Sequence, residues 1–240
     1  MYLSRFEIEM IAKRVITAYK KLPALCGQQI KMVQPELLIR DLLGLSMDYH
    51  VLSEKGDILG LTTCGATSVR IFDNPNSPEY YHLDGRTVLI DKRLLSDRAN
   101  IGRRHFTQVH EACHQIYKML FPKRYVTSIS QGQIHYCTDK RYVQDWEEWR
   151  TDALTSAILM PYDIVRSNMS DFGLGDKLHR LNRVFDPDEY HRFCEMANFM
   201  GVSKEAMSIR LQQLGLLEVN HLKNPYALVD IFPGEEEVNV

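Results

Sequence analysis

The chain has 240 residues, 45% of them hydrophobic and 25% charged, with a formal net charge of −2. That is enough apolar material for a sizeable core, and it points to a globular protein of one large domain or a main domain with an appendage. A charge this close to zero excludes a protein that coats nucleic acid or a polybasic membrane binder. Five scattered cysteines without a CxxC pair suit reduced thiols better than a disulfide framework.

In chain order, Ser4 with Glu7 three residues on makes a capping box. Ile8, Ile11, Val15, Ile16 and Tyr19 then recur at helical spacing up to Pro23, predicting a first helix. A second helix is expected from about Pro35, since proline is tolerated in a first turn, with Gly44 as its stop. From about residue 47 to 93, β-branched and aromatic residues punctuated by Gly, Asn, Pro and Asp predict a small antiparallel sheet. Asp84-Gly85, between YYHL and RTVLI, reads as a hairpin turn. Helical period returns over 103–120 and 146–160, with an irregular stretch between. Beyond Pro161 two helices are expected to join at GVS, with Ser203 capping the second, and the closing PGEEEVNV to fray. The expected class is α+β, a small antiparallel sheet packed on helices. Residues 1–165 form its main unit and 166–240 a smaller helical part.

No stretch approaches the roughly 20 apolar residues that span a bilayer, and the N-terminal segment lacks the apolar run and cleavage site of a secretion signal. The expectation is a cytoplasmic protein without membrane association.

The stretch FTQVHEACHQIYKML places His110 and His114 four residues apart, on one face of a helix, where both imidazoles can reach one ion. Glu111 sits one position round, able to reach a water at the metal rather than the metal itself. A hydrolytic zinc site takes three protein ligands and keeps a fourth position open, so a third ligand is required. It is sought in DWEEWRTDALTSAILMP, where Glu148 and Asp152 share a face of the next helix. Carboxylates pressed against a neighbouring helix are costly to desolvate unless they pair or bind a cation. Glu148 is the expected ligand and Glu147 its competitor. Asp152, one turn on, is placed to accept the free ring N–H of a ligating histidine. His105, His135, His179 and His191 show no ligand spacing, though His135 and Cys137 fall between the two helices. Cys113 raises a redox-switch question, but a small thiol packing the back of the helix is the simpler reading.

Together, RRHFTQVHEACHQIY and EWRTDALTSAILMP resemble the ImmA/IrrE-type zinc metallopeptidases, which have an FT-x-x-HE-x-x-H helix followed by an E-x-x-A-x-x-x-A-x-x-LMP helix. VLIDKRLL and GVSKEAMSIRLQQLGL extend the resemblance less specifically. Cys113 departs from the family's usual glycine, and Thr151-Asp152 from its usual pair. The resemblance implies a gluzincin-like endopeptidase with zinc on His110, His114 and Glu148, and Glu111 as the catalytic glutamate. Its implied substrate is a helix-turn-helix transcriptional regulator.

For the oxyanion donor the sequence offers only Tyr162, Tyr190 and His179, and for the peptide an exposed sheet edge within residues 57 to 93. Docking of a folded partner is expected through exposed members of Phe193, Met196, Phe199, Met200 and Met207. A rival reading takes ANFMGVSKEAMSIRL as a helix-turn-helix, making the chain a DNA-binding or protein-binding regulator with a degenerate metal site. Lys204 and Arg210 are its only cations, flanked by Glu195, Glu205 and Glu218, so phosphate contacts would be weak and direct nucleic-acid binding is not expected.

Overall fold

The computed structural model describes residues 2–74, 77–96, 100–138 and 146–227. Helix α1 (Arg5–Tyr19) starts at the capping box expected of it: the Glu7 amide donates to Ser4 Oγ, and the Ser4 amide to Glu7 Oε2 at 2.8 Å. Its apolar stripe, Ile8, Ala12, Ile16 and Tyr19, is buried. The helix expected at Pro35 widens after one turn into a π-helical segment (Leu37–Leu42), and Gly44, at φ 61°, ends it.

The sheet that follows is mixed rather than purely antiparallel. Strand β1 (Ser46–His50) runs parallel to β5 (Thr87–Asp91), β2 (Ile58–Thr63) runs antiparallel to β5, and with β6 (Ile134–Thr138) the order is β1-β5-β2-β6. Strands β3 (Thr67–Ile71) and β4 (Glu79–Leu83) form a separate two-stranded ribbon. Asp84-Gly85 is therefore a turn but not a hairpin: it carries the chain from the ribbon into β5. Asp84 Oδ1 accepts from the Arg86 amide at 2.7 Å, and Gly85, at φ 79°, lies so close to Gly65 that a Cβ would meet its Cα at 2.9 Å. The run Val88-Leu89-Ile90 alternates sides. Val88 and Ile90 pack with Leu45, Met47 and Ala112, and Leu89 with Leu61, Val69 and Leu83.

Helix α2 (Ile101–Leu120) begins two residues before the expected 103, because Asn100 caps it through the Gly102 amide at 2.8 Å. The stretch read as irregular contains a short helix, α3 (Val126–Gln131), and strand β6 (Ile134–Thr138), which pairs antiparallel with β2. Helix α4 (Trp146–Leu159) packs against both α1 and α2. The boundary expected at 165/166 falls inside α5 (Tyr162–Asp171). One hydrophobic cluster runs from Leu3 on through Val109, Leu154, Phe193 and Met207 to Leu217.

In the C-terminal part, β7 (Leu178–Leu181) and β8 (Leu217–Asn220) form a parallel pair around α6 (Pro187–Phe199) and α7 (Lys204–Gln213). Ser203 caps α7 through the Ala206 amide, as expected. Phe193, Met196, Met200 and Met207 are buried, so of the expected docking cluster only Phe199 is exposed. The other four lie on the inner faces of α6 and α7 and complete the core. The closing PGEEEVNV lies outside the described residues. Among the described residues, no helix is long and apolar enough to cross a membrane.

The GVS turn abuts the start of α2: His105 Nδ1 donates to Gly201 O at 3.1 Å, and a Cβ on Gly102 would meet Ser203 N at 2.5 Å. Those are backbone atoms that cannot rotate away. Gly102→Ala is expected to lower stability by about 1–3 kcal/mol through overpacking, read as a lower urea midpoint at unchanged slope.

Candidate metal centre

Helices α2 and α4 bring the expected residues together. His110 and His114 project from one face of α2, and their Nε2 atoms lie 3.3 Å apart. Glu148 on α4 faces both, with Oε2 at 3.0 Å from His110 Nε2 and Oε1 at 3.4 Å from His114 Nε2. Its neighbour Glu147 points elsewhere: Oε1 accepts from Arg150 Nη2 at 2.7 Å and from the Tyr125 hydroxyl at 3.1 Å. The face shared with Asp152 thus separates the two glutamates as helix geometry predicts.

The separations of 3.0, 3.3 and 3.4 Å test the donor set for a metal. In a tetrahedron with metal–ligand bonds of 2.0–2.1 Å, ligands stand about 3.3 Å apart. The two imidazole nitrogens stand at that spacing, and Glu148 faces them with one oxygen toward each ring, so the three side chains can supply three ligand atoms to one ion. Both rings are almost wholly buried, while Glu148 keeps about a third of its side chain exposed, as access to an open position requires.

The surroundings fix the ring orientations. Asp152 Oδ1 lies 3.0 Å from His110 Nδ1, so that nitrogen carries the proton and Nε2 is left for the metal. Burial disfavours the charged His110 ring, but the bonds to Asp152 and Glu148 and the charges of Glu111 and Asp152 outweigh it, raising its pKa. Without a cation, a proton occupies the centre. His114 is held well below the usual imidazole range by burial, then by the rings of His135 and His110. It is therefore neutral.

Glu111 is fully buried beside the centre. Its Oε1 accepts from the Cys137 amide at 3.0 Å, whereas Oε2 is buried without a partner. Burial raises the carboxyl pKa, Glu148 adds to the effect, and His110 and the Cys137 amide oppose it. Gly60 makes the close approach possible: a Cβ there would meet Glu111 Cγ at 3.0 Å and Thr107 Cγ2 at 2.7 Å. An unpartnered buried carboxylate oxygen is expensive, so a proton or water must face it.

The chain matches no protein-family model and no curated protein. The candidate site accordingly stands on its geometry.

Strand β6 supplies what the sequence reading missed. His135 stacks on His114 with ring centroids 4.2 Å apart and has its Nε2 3.3 Å from Cys64 Sγ, while Cys137 lends its amide to Glu111. The pair IHYC was legible as lying between the metal helices, but only pairing with β2 turns it inward. Residues grouped closely enough to hold a metal also include His114, His135 and Glu147, and His110, Glu111 and Cys137. The first set depends on a glutamate already bound to Arg150 and Tyr125, and the second on Glu111, whose Oε1 accepts from the Cys137 amide. The oxyanion candidates point elsewhere: His179 pairs with Glu218 at 3.1 Å, Tyr190 stands by Lys204, and Tyr162 is exposed on α5. Cys113 is buried against Thr155, and burial pushes its thiol up to about 12, as suits a packing side chain.

One metal ion per chain is expected by equilibrium dialysis with elemental analysis, lost in His110→Ala and Glu148→Gln but retained in Glu147→Gln, which should lose only stability. Binding must displace the proton held by His110, so affinity should rise with pH across the neutral range and fall on acidification. Calorimetry in buffers of different ionisation enthalpy should count about one proton released per metal bound.

Proposed function

We propose that the chain is a zinc-dependent metalloendopeptidase of the ImmA/IrrE type, acting in the cytoplasm on a helix-turn-helix transcriptional regulator. The observation that carries the reading is Glu111 Oε2, a buried carboxylate oxygen without a partner beside two histidines whose Nε2 atoms both face Glu148. Two nitrogens and one oxygen with an open fourth corner suit zinc among the common cations. When bound, the ion polarises a peptide carbonyl and lowers the pKa of a water at the open position to about 7.

This chain's residues supply the proton transfers. Glu111 takes a proton from the water on Oε2 and delivers it to the leaving amine, while the Cys137 amide keeps Oε1 fixed so that one oxygen does both. Asp152 holds His110 in the tautomer that presents Nε2. Within residues 57 to 93, where a substrate strand is expected to pair, β2 and β5 are paired on both sides, and the one-sided pairing of β3 and β4 leaves the edges of that ribbon. The sheet edge beside the histidines is β6, and a peptide laid along it would reach the centre past His135.

The regulator reading gains no support from α7. Arg210 is buried, bonds Met160 O at 3.0 Å and pairs with Glu9 on α1, so one of the motif's two cations is spent inside the protein.

Glu111→Gln should keep its zinc and lose hydrolysis by about 10² or more. Asp152→Ala should lose about 10- to 100-fold in metal affinity or activity. Casein should survive incubation with the zinc-loaded protein. A co-expressed helix-turn-helix regulator should be cut at one site, as intact mass reports, and remain whole with Glu111→Gln. Loss of zinc in Glu111→Gln, or cutting that persists in it, would overturn the assignment.

A further inference from the structure

The two histidines of the metal centre are held in different ways. His110 is fixed at the nitrogen away from the ion, where Asp152 Oδ1 lies 3.0 Å from Nδ1. The corresponding nitrogen of His114 is buried and has no hydrogen-bond partner among the described residues. A metal-ligating imidazole ordinarily gives that N–H to an acceptor, which sets the angle of the ring. The groups against His114 are instead other rings: His110 meets it edge-on, with centroids 5.0 Å apart and planes at 74°, and His135 lies flat on it, at 4.2 Å and 21°. His135 is itself buried and pinned from two directions. The pairing of β6 with β2 sets it opposite Thr62, and its Nε2 lies 3.3 Å from Cys64 Sγ. Neither the ligand set nor the proton transfers use this ring. The ring angles also separate a support from a ligand, because an ion bound by an imidazole lies close to the plane of the ring. The planes of His110 and His114 cross steeply, with Nε2 atoms 3.3 Å apart, and can share one ion. Stacked planes as nearly parallel as those of His114 and His135 do not meet within bonding distance of either ring.

We propose that His135 is the positioning residue for His114: its flat face, backed by Cys64, stands in for the hydrogen-bond acceptor that His114 lacks and keeps Nε2 turned toward Glu148 and the ion. The inference rests on the metal centre described above and not on hydrolysis. Where Nε2 points is decided by rotation about the Cβ–Cγ bond of His114, a torsion with a broad intrinsic profile. A flat neighbour at van der Waals distance restricts that rotation. The contact also favours the loaded state, since coordination draws electron density from His114 and the π-face of an uncharged ring attracts the more positive partner. Any uncharged aromatic side chain does both. An aliphatic side chain of similar size does neither, which distinguishes this role from the filling of space.

The test measures the metal alone. Zinc affinity, by competition with a chromophoric chelator, should fall about tenfold or more in His135→Leu and stay within about twofold of wild type in His135→Phe, which keeps a ring and loses both nitrogens. The visible absorption of the cobalt-loaded protein, which reports ligand geometry, should keep its wild-type bands in His135→Phe and change in His135→Leu. Cys64→Ala removes the support behind His135 and should weaken zinc binding about threefold, with Cys64→Ser closer to wild type. Val69→Ala, a buried position on β3 away from the centre, controls for stability: it should lower the urea midpoint of the metal-free protein and leave zinc affinity unchanged. Unchanged affinity in His135→Leu overturns the inference, and where that variant does not fold, unchanged affinity in Cys64→Ala does so. A loss in His135→Phe as large as that in His110→Ala overturns it by making His135 a ligand. A loss in Val69→Ala equal to that in His135→Leu overturns it by making the effect one of stability. A wild-type protein that binds no zinc removes the inference together with the metal centre. Zinc bound in the expected ranking without any cleavage keeps the inference and removes the hydrolytic reading.

Discussion

The packing of α4 against α2 puts two buried imidazoles and a carboxylate face to face, and the rest of the site is arranged around that contact. Without a cation the cluster is satisfied only by protonating His110 between Glu148 and Asp152. Groups on α2 and α4 brace it. Arg150 lies over the Tyr117 ring at 4.7 Å and donates to Tyr125 and Glu147, while the Tyr117 hydroxyl donates to Arg150 O. That brace fixes the first turn of α4, and Glu148 with it, against α2. A centre preorganised in this way does not have to rearrange to receive a metal.

The sheet performs the complementary task on the other side of α2. Gln115, one residue past His114, donates to Thr62 Oγ1 at 2.6 Å and Thr63 O at 2.9 Å, tying the helix to β2. Gly60 on the same strand admits Glu111, and Cys137 on β6, opposite Gly60 in register, holds it. A single bare backbone position thus lets strand and helix close on the buried Glu111 carboxylate. Strand β6 is consequently a support for Glu111 beside the centre.

The C-terminal helices, though separated from the centre in sequence, are built into the same core. Gly102 lets the GVS turn touch the start of α2, and Arg210 reaches Met160 O just past the end of α4. Helices α2 and α4 and the C-terminal helix pair therefore share one core. The arrangement that buries Phe193, Met196, Met200 and Met207 leaves Ile209 outward.

The sequence by itself determined whatever depends on neighbours three or four residues apart. The Ser4–Glu7 cap, the shared face of His110 and His114 and the pairing of Glu148 with Asp152 were legible because helical geometry is local and periodic. Tertiary structure decided the partners that lie far along the chain. That β1 pairs parallel with β5, that Asp84-Gly85 links two sheets, and that IHYC forms the strand beside Glu111 depend on surfaces contributed by residues tens of positions away. So does the choice of which methionines face inward. No local spacing encodes these pairings, because their stability comes from apolar area buried jointly by elements the sequence keeps apart.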